Sequence, residues 1–138
     1  MGPISILCVD DNPEMCAALQ SLLQSDQRFT WLGHRENADG LINTVRRLQP
    51  AIVLLDIDMP GKDAIEALTE IALNCPRTRT IVFSGHARRD LIERAVEAGA
   101  WGFISKNDGD GQLIQAVERI LEGEFVFSPE ASLVLRGR

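Results

Sequence analysis

The chain has 138 residues, 45% of them hydrophobic, which suits one compact domain with a genuine core. Asp and Glu outnumber Lys and Arg by 20 to 14, a formal net charge of -6, so direct nucleic-acid binding by this chain alone is not expected. No apolar run approaches the roughly 20 residues of a membrane span, and the start MGPISILCVDD lacks the pattern of a secretory signal. The serine of MGPIS also falls one place too early for a myristoylation motif. Cys8, Cys16 and Cys75 are odd in number, widely spaced and without a C-x-x-C pair or nearby histidines. A disulfide framework or zinc site is therefore not indicated, and a soluble protein of the reducing cytoplasm is expected.

In chain order, a first β-rich run at 4–9 (ISILCV) is followed by Asn12-Pro13, which reads as a helix cap and a first-turn proline. Met15, Ala18, Leu19 and Leu22 then keep helical spacing. A more polar run at 30–35, TWLGHR, suits an edge strand, and Leu41, Ile42, Val45 and Leu48 form the second helical stripe. The continuously apolar runs AIVLL (51–55) and TIVFS (80–84) read as strands covered on both faces, hence in mid-sheet. Between them Ile65, Leu68, Ile71 and Ala72 mark a helix, and after them Leu91, Ile92, Ala95 and Val96 mark another, ended by Gly99. WGFIS (101–105) is the fifth strand, and Leu113 to Leu121 form the fifth helix, ended by Gly123. Strict alternation of strand and helix predicts an α/β fold with a parallel sheet of five strands and five helices.

In such sheets the C-terminal strand ends emerge along one edge, where ligands bind. The first strand ends at Asp10 and Asp11, the third at Asp56, the fourth at Ser84 and the fifth at Lys106. Singly, these read as loop acids, a turn hydroxyl and a surface charge. Jointly, three carboxylates at one edge repel and are costly unless a cation neutralises them. Oxygen donors without histidine or cysteine select Mg²⁺ or a similar ion, with Lys106 as a further counter-charge.

Asp10-Asp11 after the first strand, D-x-x-M-P as Asp56, Met59 and Pro60, the hydroxyl of Ser84, and Lys106 before the last helix together resemble the receiver domain of bacterial two-component response regulators. The resemblance covers residues 4–122 and implies a doubly wound, flavodoxin-like sheet of order 2-1-3-4-5. It implies that Asp56 takes a phosphoryl group from a sensor histidine kinase, that Asp11, Asp56 and the backbone carbonyl of Asp58 bind Mg²⁺, and that Asp10 holds metal waters. Lys106 and Ser84 would contact the phosphoryl group, and Ser84 with Phe103 would form the switch. Asp58 and His86 occupy positions that tune phosphoryl lifetime in the family. Such a domain is no enzyme in the ordinary sense: it catalyses only its own phosphorylation and dephosphorylation. Ala64 stands where the family usually has glycine, and Ser84 where threonine is commoner.

Three other functions compete. Asp56-Ile57-Asp58 is similar to the D-x-D of haloacid-dehalogenase-type phosphatases, but that motif follows the first strand and expects Thr or Val at the place of Pro60. A pseudo-receiver acting purely as an interaction module is opposed by the presence of every chemical group. A flavin-binding protein of this fold would need a Ser/Thr/Gly-rich phosphate loop where this chain is acidic. Residues 1–122 would form the domain and 123–138 an extension or the start of a linker. In that extension, G-x-x-x-x-S-P-E from Gly123 to Glu130 resembles receivers that continue into a helix-turn-helix domain, implying transcription control. The expected output surface is the fourth helix, fifth strand and fifth helix, around Arg88 to Gly123, with a homodimer on phosphorylation left open.

Overall fold

A computed structural model describes residues 3–59 and 62–137. Strands β1 (Ile4–Val9), β2 (Phe29–Arg35), β3 (Ile52–Leu55), β4 (Arg79–Ser84) and β5 (Gly102–Ser105) alternate with helices α1 (Pro13–Gln24), α2 (Leu41–Leu48), α3 (Ala64–Asn74), α4 (Arg89–Glu97) and α5 (Asp110–Leu121). A 3₁₀ turn, Lys106–Asp108, lies between β5 and α5, and β6 (Val126–Phe127) and α6 (Pro129–Arg136) follow. The sheet is parallel throughout, in the order β2-β1-β3-β4-β5-β6. The expected order is thus present, with β2 on the edge and β3 and β4 inside.

The period-two alternation of strand side chains sends residues to two cores. Ile6, Cys8, Ile52, Leu54, Ile81 and Ile104 face α1 and α5, whose Leu19, Leu23, Val117 and Ile120 are buried. Leu7, Val9, Val53, Leu55, Val82 and Phe103 face the other way, against residues of α2, α3, α4 and α6. Both faces of β3 are therefore dry, which explains why its sequence is continuously apolar. The Asn12 side chain caps α1 by accepting from the amides of Glu14 and Met15 at 3.0 and 3.2 Å, with Pro13 opening the helix. The three cysteines are unpaired, with Cys8 and Cys16 buried.

The structure adds two elements beyond Leu121. The run Val126–Phe127 pairs with Gly102 and Phe103, and Ser128 follows as the residue before α6, with Pro129 opening it. Helix α6 packs on β5 and α4, so part of the surface expected to meet partners is covered by the chain itself. A two-residue strand is too short to show alternation, and α6 buries only Ala131 completely, which is why neither is visible as a periodic pattern. Gly102 makes the pairing feasible, because a Cβ there would lie 3.0 Å from the Val126 carbonyl oxygen and 2.9 Å from Ile120 Cδ1.

Gly99 ends α4 at φ +109°, where an added Cβ would stand 2.6 Å from Ala72 Cβ. Both backbone conformation and α3 packing demand glycine there. Gly99→Ala is expected to cost about 1–3 kcal/mol in denaturant unfolding, and wild-type stability would show that α3 yields freely.

Candidate functional site

The acid cluster is a product of strand register. Val9 of β1 pairs with Leu55 of β3, so the next residues, Asp10 and Asp56, emerge side by side. The Asp56 amide donates to the Val9 carbonyl at 2.9 Å, continuing the ladder to the edge of the site. Asp10, Asp11 and Asp56 each offer a carboxylate oxygen, and these oxygens lie within 4.8 Å of one another. Asp10 and Asp56 are buried, while Asp11 is open to solvent.

Lys106 arrives from the 3₁₀ turn after β5. Its Nζ donates to Asp10 Oδ2 at 2.7 Å and lies 3.5 Å from Asp56 Oδ2. The other Asp10 oxygen accepts from the Asn12 amide at 2.9 Å, and Asp56 Oδ1 accepts from the Asp58 amide at 3.0 Å. Burial pushes the Asp56 carboxyl above the usual carboxylate range, helped by the charges of Asp10 and Asp58 and opposed by the Asp58 amide and Lys106. Burial alone would lower the Lys106 ammonium, but its hydrogen bond to Asp10 and the charges of Asp56 and Asp10 leave it raised.

Ser84 and Asp58 reach the same edge in a different arrangement. The fully buried Ser84 hydroxyl donates to Asp58 Oδ2 at 3.0 Å and accepts from the His86 amide at 3.0 Å. The same Asp58 oxygen lies 2.9 Å from His86 Nδ1. The Asp58 carboxylate is thus engaged with Ser84 and His86 and stands apart from the three clustered acids, leaving its backbone carbonyl as the group the resemblance assigns to the metal. Phe103 is completely buried in the core beneath α4 and α6. Met59 packs against that core, and Pro60 lies outside the described residues.

Sequence reasoning missed a second layer around Lys106. Ser128 Oγ accepts from the Ser105 amide at 2.9 Å, Ser105 Oγ donates to Glu130 Oε1 at 2.9 Å, and Asn107 Nδ2 lies 3.3 Å from the same oxygen. The Ser-Pro-Glu motif was the available signal, but nothing in its spacing says that it folds back on the Lys106 turn.

The family model described as response regulator receiver domain matches residues 6–118, and the chain belongs to that family. Its relatives include transcriptional regulatory protein DesR of Bacillus subtilis, 29% identical over 92% of this chain and 63% of that protein. The nitrate/nitrite response regulator protein NarL of Escherichia coli is 29% identical over 96% of this chain and 62% of that protein. The crystal structure of a LuxR-family two-component response regulator from Aurantimonas superposes with a TM-score of 0.90 at 27% identity, covering 97% of this chain and 96% of that one. The chain spans less than two thirds of the length of these curated relatives. The family match sets aside the phosphatase and flavoprotein readings. No helix among the described residues is long and apolar enough to cross a membrane.

The raised Asp56 carboxyl sets a sign for stability. A folded-state value above the unfolded one stabilises at low pH, and that contribution is lost as pH rises through the raised value. In chelator at neutral pH, Asp56→Asn, which cannot ionise, should therefore melt above the wild type, with the gap closing toward about pH 4. An equal or lower melting temperature at neutral pH would mean that Lys106 and the Asp58 amide outweigh burial.

Proposed function

We propose that Asp56 accepts a phosphoryl group from a sensor histidine kinase in a Mg²⁺-dependent reaction, and that the mark switches an output surface in transcription control. The observation that carries the reading is the meeting of Asp10, Asp11 and Asp56 around an edge where Lys106 Nζ lies 3.5 Å from Asp56 Oδ2. Three carboxylates against one ammonium leave two negative charges in excess, which a divalent cation balances. The clustered donors are all carboxylate oxygens, a set suited to Mg²⁺. Asp11, Asp56 and the Asp58 backbone carbonyl would hold the ion, with Asp10 on its waters. When bound, it supplies neutralisation and orientation of phosphoryl oxygens.

The chain's own groups account for the rest. A carboxylate oxygen of Asp56 attacks phosphorus, the P–N bond to the kinase imidazole breaks, and the electron pair stays on the imidazole nitrogen, which takes up a proton. Lys106 neutralises a phosphoryl oxygen from its position beside Asp56. The Ser84 hydroxyl, held by Asp58 in this state, turns to the phosphoryl group, and Phe103 rearranges with it as the second half of the switch. Two relatives named as regulators support transcription control as the process, while the net charge of -6 argues against direct contact with DNA by these residues. A cytoplasmic setting and a homodimer formed on phosphorylation belong to the same reading.

Acetyl phosphate with Mg²⁺ should add one phosphoryl mass to the wild type and none to Asp56→Asn, with chelator abolishing the reaction. Equal labelling of the variant would move the phosphoacceptor elsewhere. Lys106→Ala should lose a charge-assisted contact worth roughly 1.5–3 kcal/mol to the marked state, and should also melt below the wild type because Asp10 and Asp56 are left without their counter-charge. A wild-type response to phosphorylation in the folded variant would remove Lys106 from the phosphoryl site.

A further inference from the structure

The turn that carries Lys106 is held from outside the phosphoacceptor edge by the first turn of α6. Before Lys106, the Ser105 amide donates to Ser128 Oγ, and the Ser105 hydroxyl, completely buried, donates to Glu130 Oε1 at 2.9 Å. After it, Asn107 Nδ2 lies 3.3 and 3.4 Å from the two Glu130 carboxylate oxygens, and Asp108 Oδ2 accepts from the Glu130 amide at 2.9 Å. Lys106 is thus flanked on both sides by residues bonded to Glu130, while its own ammonium reaches Asp10 and Asp56. At the other end of α6, Arg89 Nη2 donates to the carbonyls of Val134 and Leu135 at 2.9 and 2.7 Å and to that of Gly137. The helix is therefore fixed at its first turn to the Lys106 turn and at its last turn to the start of α4.

We propose that Glu130 is a positioning residue for Lys106, and that through it α6 and the phosphoacceptor edge bias one another. The inference rests on the phosphoacceptor reading of Asp56. A bound Glu130 carboxylate restricts the turn so that the ammonium is held 2.7 Å from Asp10 and 3.5 Å from Asp56, where it would neutralise a phosphoryl oxygen on Asp56; released, the turn no longer fixes the ammonium beside Asp56. Phosphoryl transfer depends on placement of such charges, and losing a group that orients a catalytic side chain is typically felt at the chemistry. Coupling of this kind is reciprocal in binding free energy, so occupation of the phosphoryl site alters the hold of Glu130 on the Lys106 turn to the same extent that releasing Glu130 alters occupation.

A plain structural staple predicts something different: loss of stability with unchanged chemistry. The test compares acetyl phosphate labelling of Asp56 in folded Glu130→Ala, Glu130→Gln and Ser132→Ala proteins, with circular dichroism confirming the fold. Ser132→Ala removes the 3.2 Å bond from the Ser132 hydroxyl to the Phe127 carbonyl and so loosens the same segment without touching the Lys106 turn. Glu130→Ala should label roughly 10-fold more slowly than wild type. Glu130→Gln, whose amide oxygen still accepts from Ser105, should recover most of the rate, and Ser132→Ala should label normally. Labelling of Glu130→Ala at the wild-type rate, or an equal slowing in Ser132→Ala, overturns the proposal. The wild type supplies a second measurement independent of any variant: beryllofluoride with Mg²⁺ should change amide exchange across residues 126–137, and unchanged exchange in protein that still labels at Asp56 also overturns it. Wild type that does not label, or Asp56→Asn that labels equally, defeats the phosphoacceptor reading itself.

Discussion

The ammonium of Lys106 between Asp10 and Asp56 is the interaction on which the rest of the site depends. Its side chain is 17% exposed, and those of Asp10 and Asp56 are 3% and 7% exposed, so the charges meet largely out of bulk water. Buried ions are costly unless paired and hydrogen-bonded. Here each acid has a second partner, Asp10 in the Asn12 amide and Asp56 in the Asp58 amide. The pairing also spans the fold: β1 and β3 bring the acids, and β5 brings the lysine across the intervening β4. A disturbance of any of these strands displaces the charge balance.

That balance remains incomplete, because Asp11 adds a third carboxylate against one ammonium. The excess charge makes the edge receptive to a divalent cation, and burial, with the charges of Asp10 and Asp58, holds the Asp56 carboxyl above its usual range. An asparagine at position 56 would relieve the repulsion but remove one of the three clustered carboxylates. Asp58 adds another constraint, since its carboxylate holds the Ser84 hydroxyl and faces His86 instead of joining the acid cluster. Freeing the Ser84 hydroxyl for any other partner therefore requires that hydrogen bond to be exchanged.

The C-terminal segment changes how the outer surface is understood. Ser128 and Glu130 satisfy the backbone and side chain of Ser105 at the end of β5, and Ala131 enters the same core as Phe103. Phe103 is thus enclosed partly by a helix whose first turn is tied to the Lys106 turn. Any rearrangement of the ring must be accommodated by α4 and α6 together, because close-packed cores shift between discrete arrangements instead of deforming smoothly.

The alternation of short apolar runs with amphipathic stretches was enough by itself to determine a parallel α/β sheet, and the continuous burial of β3 and β4 was legible in their uninterrupted apolar residues. The acids Asp10, Asp11 and Asp56 and the base Lys106 were also legible, because a strand's C-terminal end can be located in sequence and parallel strands share an edge. Tertiary structure alone decided who binds whom: that Lys106 takes Asp10 as its closer partner, that Asp58 turns to Ser84 and His86, and that Glu130 holds the Lys106 turn. Spacing along the chain carries no information about side-chain direction at a strand end or about where a two-residue strand docks. Those outcomes follow from the register of β1 with β3 and from the room that Gly102 leaves for β6, contacts between segments far apart in sequence whose energies appear only when the chain has closed on itself.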